Sequence, residues 1–115
     1  MKQREEKLFV EDISVFCDHI AEYVEGVTKP EFLKNRMLQD ALIRKLEIIG
    51  EAVKNISTNT RNKYPNVPWK EIAGMRDKVI HHYSRVDLDI VWKTSTNLVP
   101  RLKPEIEKIL KNSSE

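Results

Sequence analysis

Cysteine is almost absent from this chain: Cys17 stands alone, so no intrachain disulfide can form. An unpaired thiol suits a reducing compartment. Long apolar runs are missing as well. No stretch reaches the ~20 residues that a membrane span needs. Met1–Glu6 leads straight into an amphipathic pattern, not into a basic segment followed by an apolar run. The expectation is a cytoplasmic protein with no membrane contact. The familiar catalytic signatures are also lacking. With three glycines there is no Gly-rich phosphate loop, and neither a paired-cysteine zinc site nor a nucleophile elbow is present. Cys17 and His19 lie two apart on a predicted helix and so face opposite ways. They read as a small core residue and a surface residue, with no metal site and no cofactor.

What is present suits one domain over residues 1–115, with 40% hydrophobic and 33% charged residues. A chain of this length buries only a modest core, so self-association would add useful stability. The net charge of +2 is small, but it is unevenly spread. Residues 1–28 carry three Lys/Arg against seven Asp/Glu, whereas residues 29–83 carry eleven against six. Arg61, Lys63 and Lys70 make the stretch before residue 76 locally basic. That suits a nearby polyanion, and equally an ordinary solvated surface.

Apolar spacing predicts four helices and no strand alternation. The first covers about Lys7 to Glu25, with Phe9, Ile13, Phe16, Ile20 and Val24 on one stripe and Gly26 closing it. Thr28 and Glu31 form a capping-box pattern that opens the second, which runs to about Ile56. Its apolar arc, centred on Leu42, Leu46, Ile49 and Val53 and widened by Met37, Ala41 and Ile48, exceeds the ~100° that one-sided packing requires. Either this helix is central or it forms a dimer face. Residues 57–67 read as a loop. Pro68 opens a third helix with Trp69, Ile72, Ala73, Val79 and Ile80. Asp87 caps a fourth, which Pro100 and Pro104 should kink or break. The fold class is therefore all-α: an antiparallel four-helix bundle with a kinked or broken last helix and no sheet.

The chemistry concentrates between Gly74 and Tyr83. On a continued third helix, Arg76 falls about 40° from Ile72 and Ile80, on the apolar stripe. A charge there must be paired or must line a working cleft. Asp77 and His81 are four apart, so the carboxylate could orient the ring or simply make a surface contact. Arg76 and His81 are about 140° apart on a regular helix. They can meet on one ligand if the arginine bends round, if the helix ends near His81, or if a second subunit completes the site.

Arg76-x4-His81-x-Tyr83 resembles the R-x4-H-x-Y signature of HepT-like toxins in the HEPN superfamily. The resemblance extends to Gln39-Asp40-Ala41, Leu46 through Ala52, Tyr64 through Trp69, Ile72 through Arg76 and Val86 through Trp92. It implies a HEPN-type bundle and a metal-independent endoribonuclease toxin of a toxin–antitoxin pair. Arg76 and His81 would be catalytic, with Asp77 and Tyr83 supporting. RNA supplies its own 2′-hydroxyl nucleophile, so the protein need only move protons and stabilise charge. The resemblance further implies a minimal nucleotidyltransferase antitoxin that places AMP on Tyr83, and a homodimer in which two motifs share one cleft. The alternative is a catalytically weak HEPN module that mainly docks the nucleotidyltransferase. Asp77 stands where the family often has Asn, and it brings a negative charge near an incoming phosphate.

Overall fold

The computed structural model describes the backbone of residues 2–75, 80, 81 and 85–113 and the side chains of residues 5–75 and 86–112. Three long helices carry the fold: α1 (Lys2–Val24), α3 (Arg36–Val53) and α7 (Val99–Ser113). Between them lie the short helices α2 (Lys29–Leu33), α4 (Thr58–Lys63), α5 (Trp69–Ala73) and α6 (Leu88–Lys93). A π-helical turn, Thr94–Leu98, joins α6 to α7. The architecture is an all-α bundle, with α1 packed against both α3 and α7.

The core runs through Ile13 and Ile20 of α1, Leu42, Leu46, Ile49 and Val53 of α3, and Leu102 and Ile106 of α7. On α1 the buried stripe is Val10, Ile13, Cys17 and Ile20, while Phe9, Phe16 and Val24 pack partly buried at its edge. His19 is half-buried, its ring tilted against Phe16 and stacked on Tyr23, which corrects its reading as a surface residue. The wide arc of α3 is spent on α1, α2, α5 and α6, and this is central-helix packing. Met37 at its start is 83% exposed.

Several boundaries follow from caps. At Thr28 the hydroxyl accepts from the Glu31 amide at 3.3 Å, and the Glu31 carboxylate accepts from the Thr28 amide at 2.9 Å. The predicted second helix is split at Lys34 and Asn35. There the Asn35 side chain caps a new start by accepting from the Leu38 amide at 3.0 Å. The Gln39 amide donates to the Phe32 carbonyl at 3.0 Å, satisfying the end of α2. The predicted loop over residues 57–67 contains α4. Ser57 caps it at 3.1 Å, and Glu6 reaches across from α1 to accept from the Ser57 amide and, at 2.7 Å, from the Thr60 hydroxyl. No residue of α4 is buried, so hydrophobic periodicity could not announce it.

The break expected near Pro100 is the π turn. Pro100 has no N–H to give the Thr96 carbonyl, and the Val99 amide bonds back to Thr94, five residues away. The Thr96 hydroxyl donates to the Trp92 carbonyl at 2.8 Å. Pro104 sits inside α7 without ending it.

The all-α expectation holds for the bundle, with one short addition at its edge. Ile80–His81 (β1) pairs antiparallel with Arg85–Val86 (β2), with Ile80 opposite Val86 and His81 opposite Arg85. This two-residue pair is the exception to a sheet-free bundle. It also means that the third helix does not reach His81.

Candidate active site

The segment that carries the motif is fixed firmly on its N-terminal side. Trp69 is 7% exposed, and its indole N–H donates to the Tyr64 carbonyl at 2.9 Å. The Arg61 guanidinium lies 5.9 Å from the Trp69 ring centroid. It also donates to the carbonyls of Val53 at 2.7 Å and Ile56 at 3.1 Å. One arginine thus binds carbonyls at and just past the end of α3 and clamps the start of α5. Ile72 is fully buried and Met75 nearly so. Gly50 of α3 faces the Ile72 carbonyl so closely that a Cβ there would lie 3.5 Å from it. These contacts set the direction in which the chain leaves Met75.

The C-terminal anchor is equally definite. Asp87 caps α6 by accepting from the Ile90 amide at 3.1 Å, as the sequence predicts. Lys29 of α2 pairs with Asp89 at 3.0 Å, and Trp92 stacks on Phe32 with centroids 5.0 Å apart.

Arg76, Asp77 and Tyr83 lie outside the described residues, as does the His81 side chain. The backbone of His81 is described, and it is extended in β1. The angles expected from a helix continued through His81 therefore do not apply. With His81 extended, its positions relative to Arg76 (~140°) and Asp77 (one turn) are not those of a regular helix. The helix ends before His81.

Beside Met75, the last described residue before Arg76, opens a cleft of about 240 Å³. Buried Met75 and Leu98 and half-buried Ile90 line its apolar part. Lys93, Asn97 and Arg101 stand exposed along one wall, with Glu71 also lining it. Sequence reading missed this wall. Its signal in the sequence is the spacing of four between Lys93, Asn97 and Arg101. The basic stretch before the motif is less free than its composition suggests. Arg61 is committed to the carbonyls of α3 and the face of Trp69. Lys63 lies near enough to Glu6 to help lower its pKa, and Lys70 remains exposed.

Among the described residues no helix is long and apolar enough to cross a membrane. The chain matches the family model described as Ribonuclease HepT-like over residues 13–109, which spans the whole motif. It is 45% identical over 115 residues to "Putative RNase MJ0125" of Methanocaldococcus jannaschii, covering 100% of this chain and 99% of that protein. It is 42% identical over 109 residues to "Probable ribonuclease HepT" of Thermococcus cleftensis, covering 95% of this chain and 99% of the relative. A third relative, "Putative RNase TTE0752" of Caldanaerobacter subterraneus, is 45% identical over 102 residues, covering 89% and 91%. No solved structure matches the chain.

Proposed function

The chain belongs to the HepT-like ribonuclease family and is an RNA-cleaving enzyme, and we propose that it is a metal-independent endoribonuclease toxin acting through Arg76-x4-His81-x-Tyr83. The observation that carries this reading is the family match over residues 13–109, which includes every residue of the motif. In the reaction the 2′-oxygen attacks phosphorus as the bond to the 5′-oxygen breaks. The products are a 2′,3′-cyclic phosphate and a 5′-hydroxyl. His81 takes the 2′ proton or protonates the departing oxygen, because imidazole titrates near neutral pH. Arg76 clamps the phosphate and stabilises the charge that gathers on its oxygens. Asp77 and Tyr83 support them through hydrogen bonds.

Two copies of the motif share one cleft across a two-fold homodimer. The antitoxin is a minimal nucleotidyltransferase that transfers AMP to Tyr83. This sets a phosphate and a nucleoside beside Arg76, in the place of the RNA phosphate.

The test is cleavage of RNA in EDTA, with the 3′ ends identified as cyclic phosphates. His81→Ala and Arg76→Ala should each abolish cleavage, since loss of a general acid/base alone costs about 10²–10⁴-fold. Full activity in His81→Ala would overturn the mechanism. Light scattering showing a monomer at micromolar concentration would overturn the shared cleft. Complete AMP transfer to Tyr83 with activity unchanged would overturn the switch.

A further inference from the structure

We propose that the cleft beside Met75 is a nucleotide subsite, which seats one base of single-stranded RNA while Lys93 and Arg101 hold the phosphates flanking it. The inference rests on the ribonuclease reading above and deepens it, because it says which residues outside the motif grip the substrate and which bases they favour.

Size comes first. At about 240 Å³ the cleft falls below the ~300–1,000 Å³ of pockets that enclose a whole small ligand. It has room for a flat part of a ligand, with the remainder outside. Its floor of Met75, Ile90 and Leu98 offers an apolar surface and a polarisable thioether to a base face. The wall bears two cations, Lys93 and Arg101, which are exposed and have no ion pair among the described residues. An apolar floor with a cationic edge matches a base attached to a charged backbone.

The π turn supplies an independent observation. Residues four apart on an α-helix drift by about 40°. The wider turn at Thr94–Leu98 corrects part of that drift, bringing Lys93, Asn97 and Arg101 closer to one line. π turns recur at functional sites, and this one forms the wall nearest to the chain entering the motif. Met75 lines the same cleft, so a base seated here lies beside the point where the chain enters the motif.

Glu71 sets the preference. A carboxylate accepts a hydrogen bond from the exocyclic amine of cytosine, but it repels the O4 acceptor that uracil offers at the same edge. The cleft therefore favours cytosine over uracil.

The experiment measures binding of short fluorescent oligo(C) and oligo(U) RNAs to the full chain carrying His81→Ala, so that substrate survives, at several salt concentrations. For single strands each phosphate contact contributes about 0.7 to the slope of log affinity against log salt. Replacing Lys93 and Arg101 together by Gln should lower that slope by about 1.4. Lys54→Gln, outside the cleft, should leave it unchanged. Glu71→Gln should abolish the preference for oligo(C). An unchanged slope in the Lys93/Arg101 variant overturns the phosphate contacts, and an unchanged base ratio in Glu71→Gln overturns the base reading. Lys54, Glu71, Lys93 and Arg101 are exposed, so circular dichroism of their variants should match the parent. Cleavage by the unsubstituted chain is scored separately. RNA bound in the cleft but never cut would sink the ribonuclease reading alone, and RNA cut with an unchanged slope would sink only the subsite.

Discussion

Arg61 shows how a residue's chemistry can be read correctly while its task is misjudged. Its charge marks the stretch before the motif as basic. In the structure that charge serves two backbone carbonyls and an indole face. A guanidinium can bond to two carbonyls at once because its donors form a rigid fork, which an ammonium cannot match. Hydrogen bonds to charged groups contribute about 1.5–3 kcal/mol each, but Arg61 is only half-buried and solvent competes for its partners. Arg61→Ala is expected to cost about 1–2 kcal/mol, measured by urea denaturation, and Arg61→Lys should recover less than half. Equal stability of the lysine variant would show that charge alone matters there. Nothing in the sequence separates an arginine facing RNA from one facing carbonyls. The distinction depends on where the ends of α3 and α4 meet.

Apolar stripes and the caps at Thr28 and Asp87 were legible from the chain; the Asn35 cap inside a continuous apolar pattern and the α4 turn held by Glu6 were not. The capping box at Thr28, the Asp87 cap and the disturbance ahead of Pro100 all act within a few residues, so the sequence displays them. Helix α4 depends on Glu6, about fifty positions away, and buries nothing. The same contrast applies to the candidate site. Its motif stands in one continuous segment, whereas the cleft joins α5 to the π turn and α7, and only the fold brings these together. The α3–α5 contact that precedes the motif offers a direct test at Gly50. A Cβ there would meet the Ile72 carbonyl at 3.5 Å, an ordinary contact, and alanine favours a helix interior over glycine by ~1 kcal/mol. Gly50→Ala should therefore melt no lower than the parent and cleave RNA normally. Gly50→Val, with two further carbons against that carbonyl, should lower the melting temperature by several degrees and reduce cleavage. A valine variant as active and stable as the parent would show that α5 does not steer the motif.

At the scale of the whole molecule, two polar clusters fasten α1 to the rest of the fold, and both make stability depend on pH. In the first, Lys103 of α7 donates to Asp18 at 2.6 Å and to the Ser14 hydroxyl at 3.0 Å, and that hydroxyl donates to Glu107 at 2.7 Å. The hydrogen bond from Ser14, then the charge of Lys103, hold the Glu107 carboxyl below its usual range. Burial works against the charge on Lys103, but its contacts with Asp18 and Glu107 outweigh this and raise its pKa. In the second, burial opposes ionisation of Glu6, yet hydrogen bonds from Ser57 and Thr60 and the charge of Lys63 leave its pKa lowered. The signs follow from linkage. Both glutamates bind protons more weakly folded than unfolded. Their contribution is complete above the ordinary carboxylate pKa and is lost as pH falls through the lowered folded values. Lys103 binds its proton more tightly folded than unfolded. Its contribution is complete below the ordinary lysine pKa and disappears as pH rises through the raised value. Stability should therefore plateau around neutrality and decline on both limbs. Glu6→Gln and Glu107→Gln should each flatten the acid limb, and Lys103→Met the alkaline one, in thermal melts recorded from pH 3 to 11. An acid limb as steep in the double glutamine variant as in the parent would assign acid unfolding to other carboxylates and remove these two clusters as its cause.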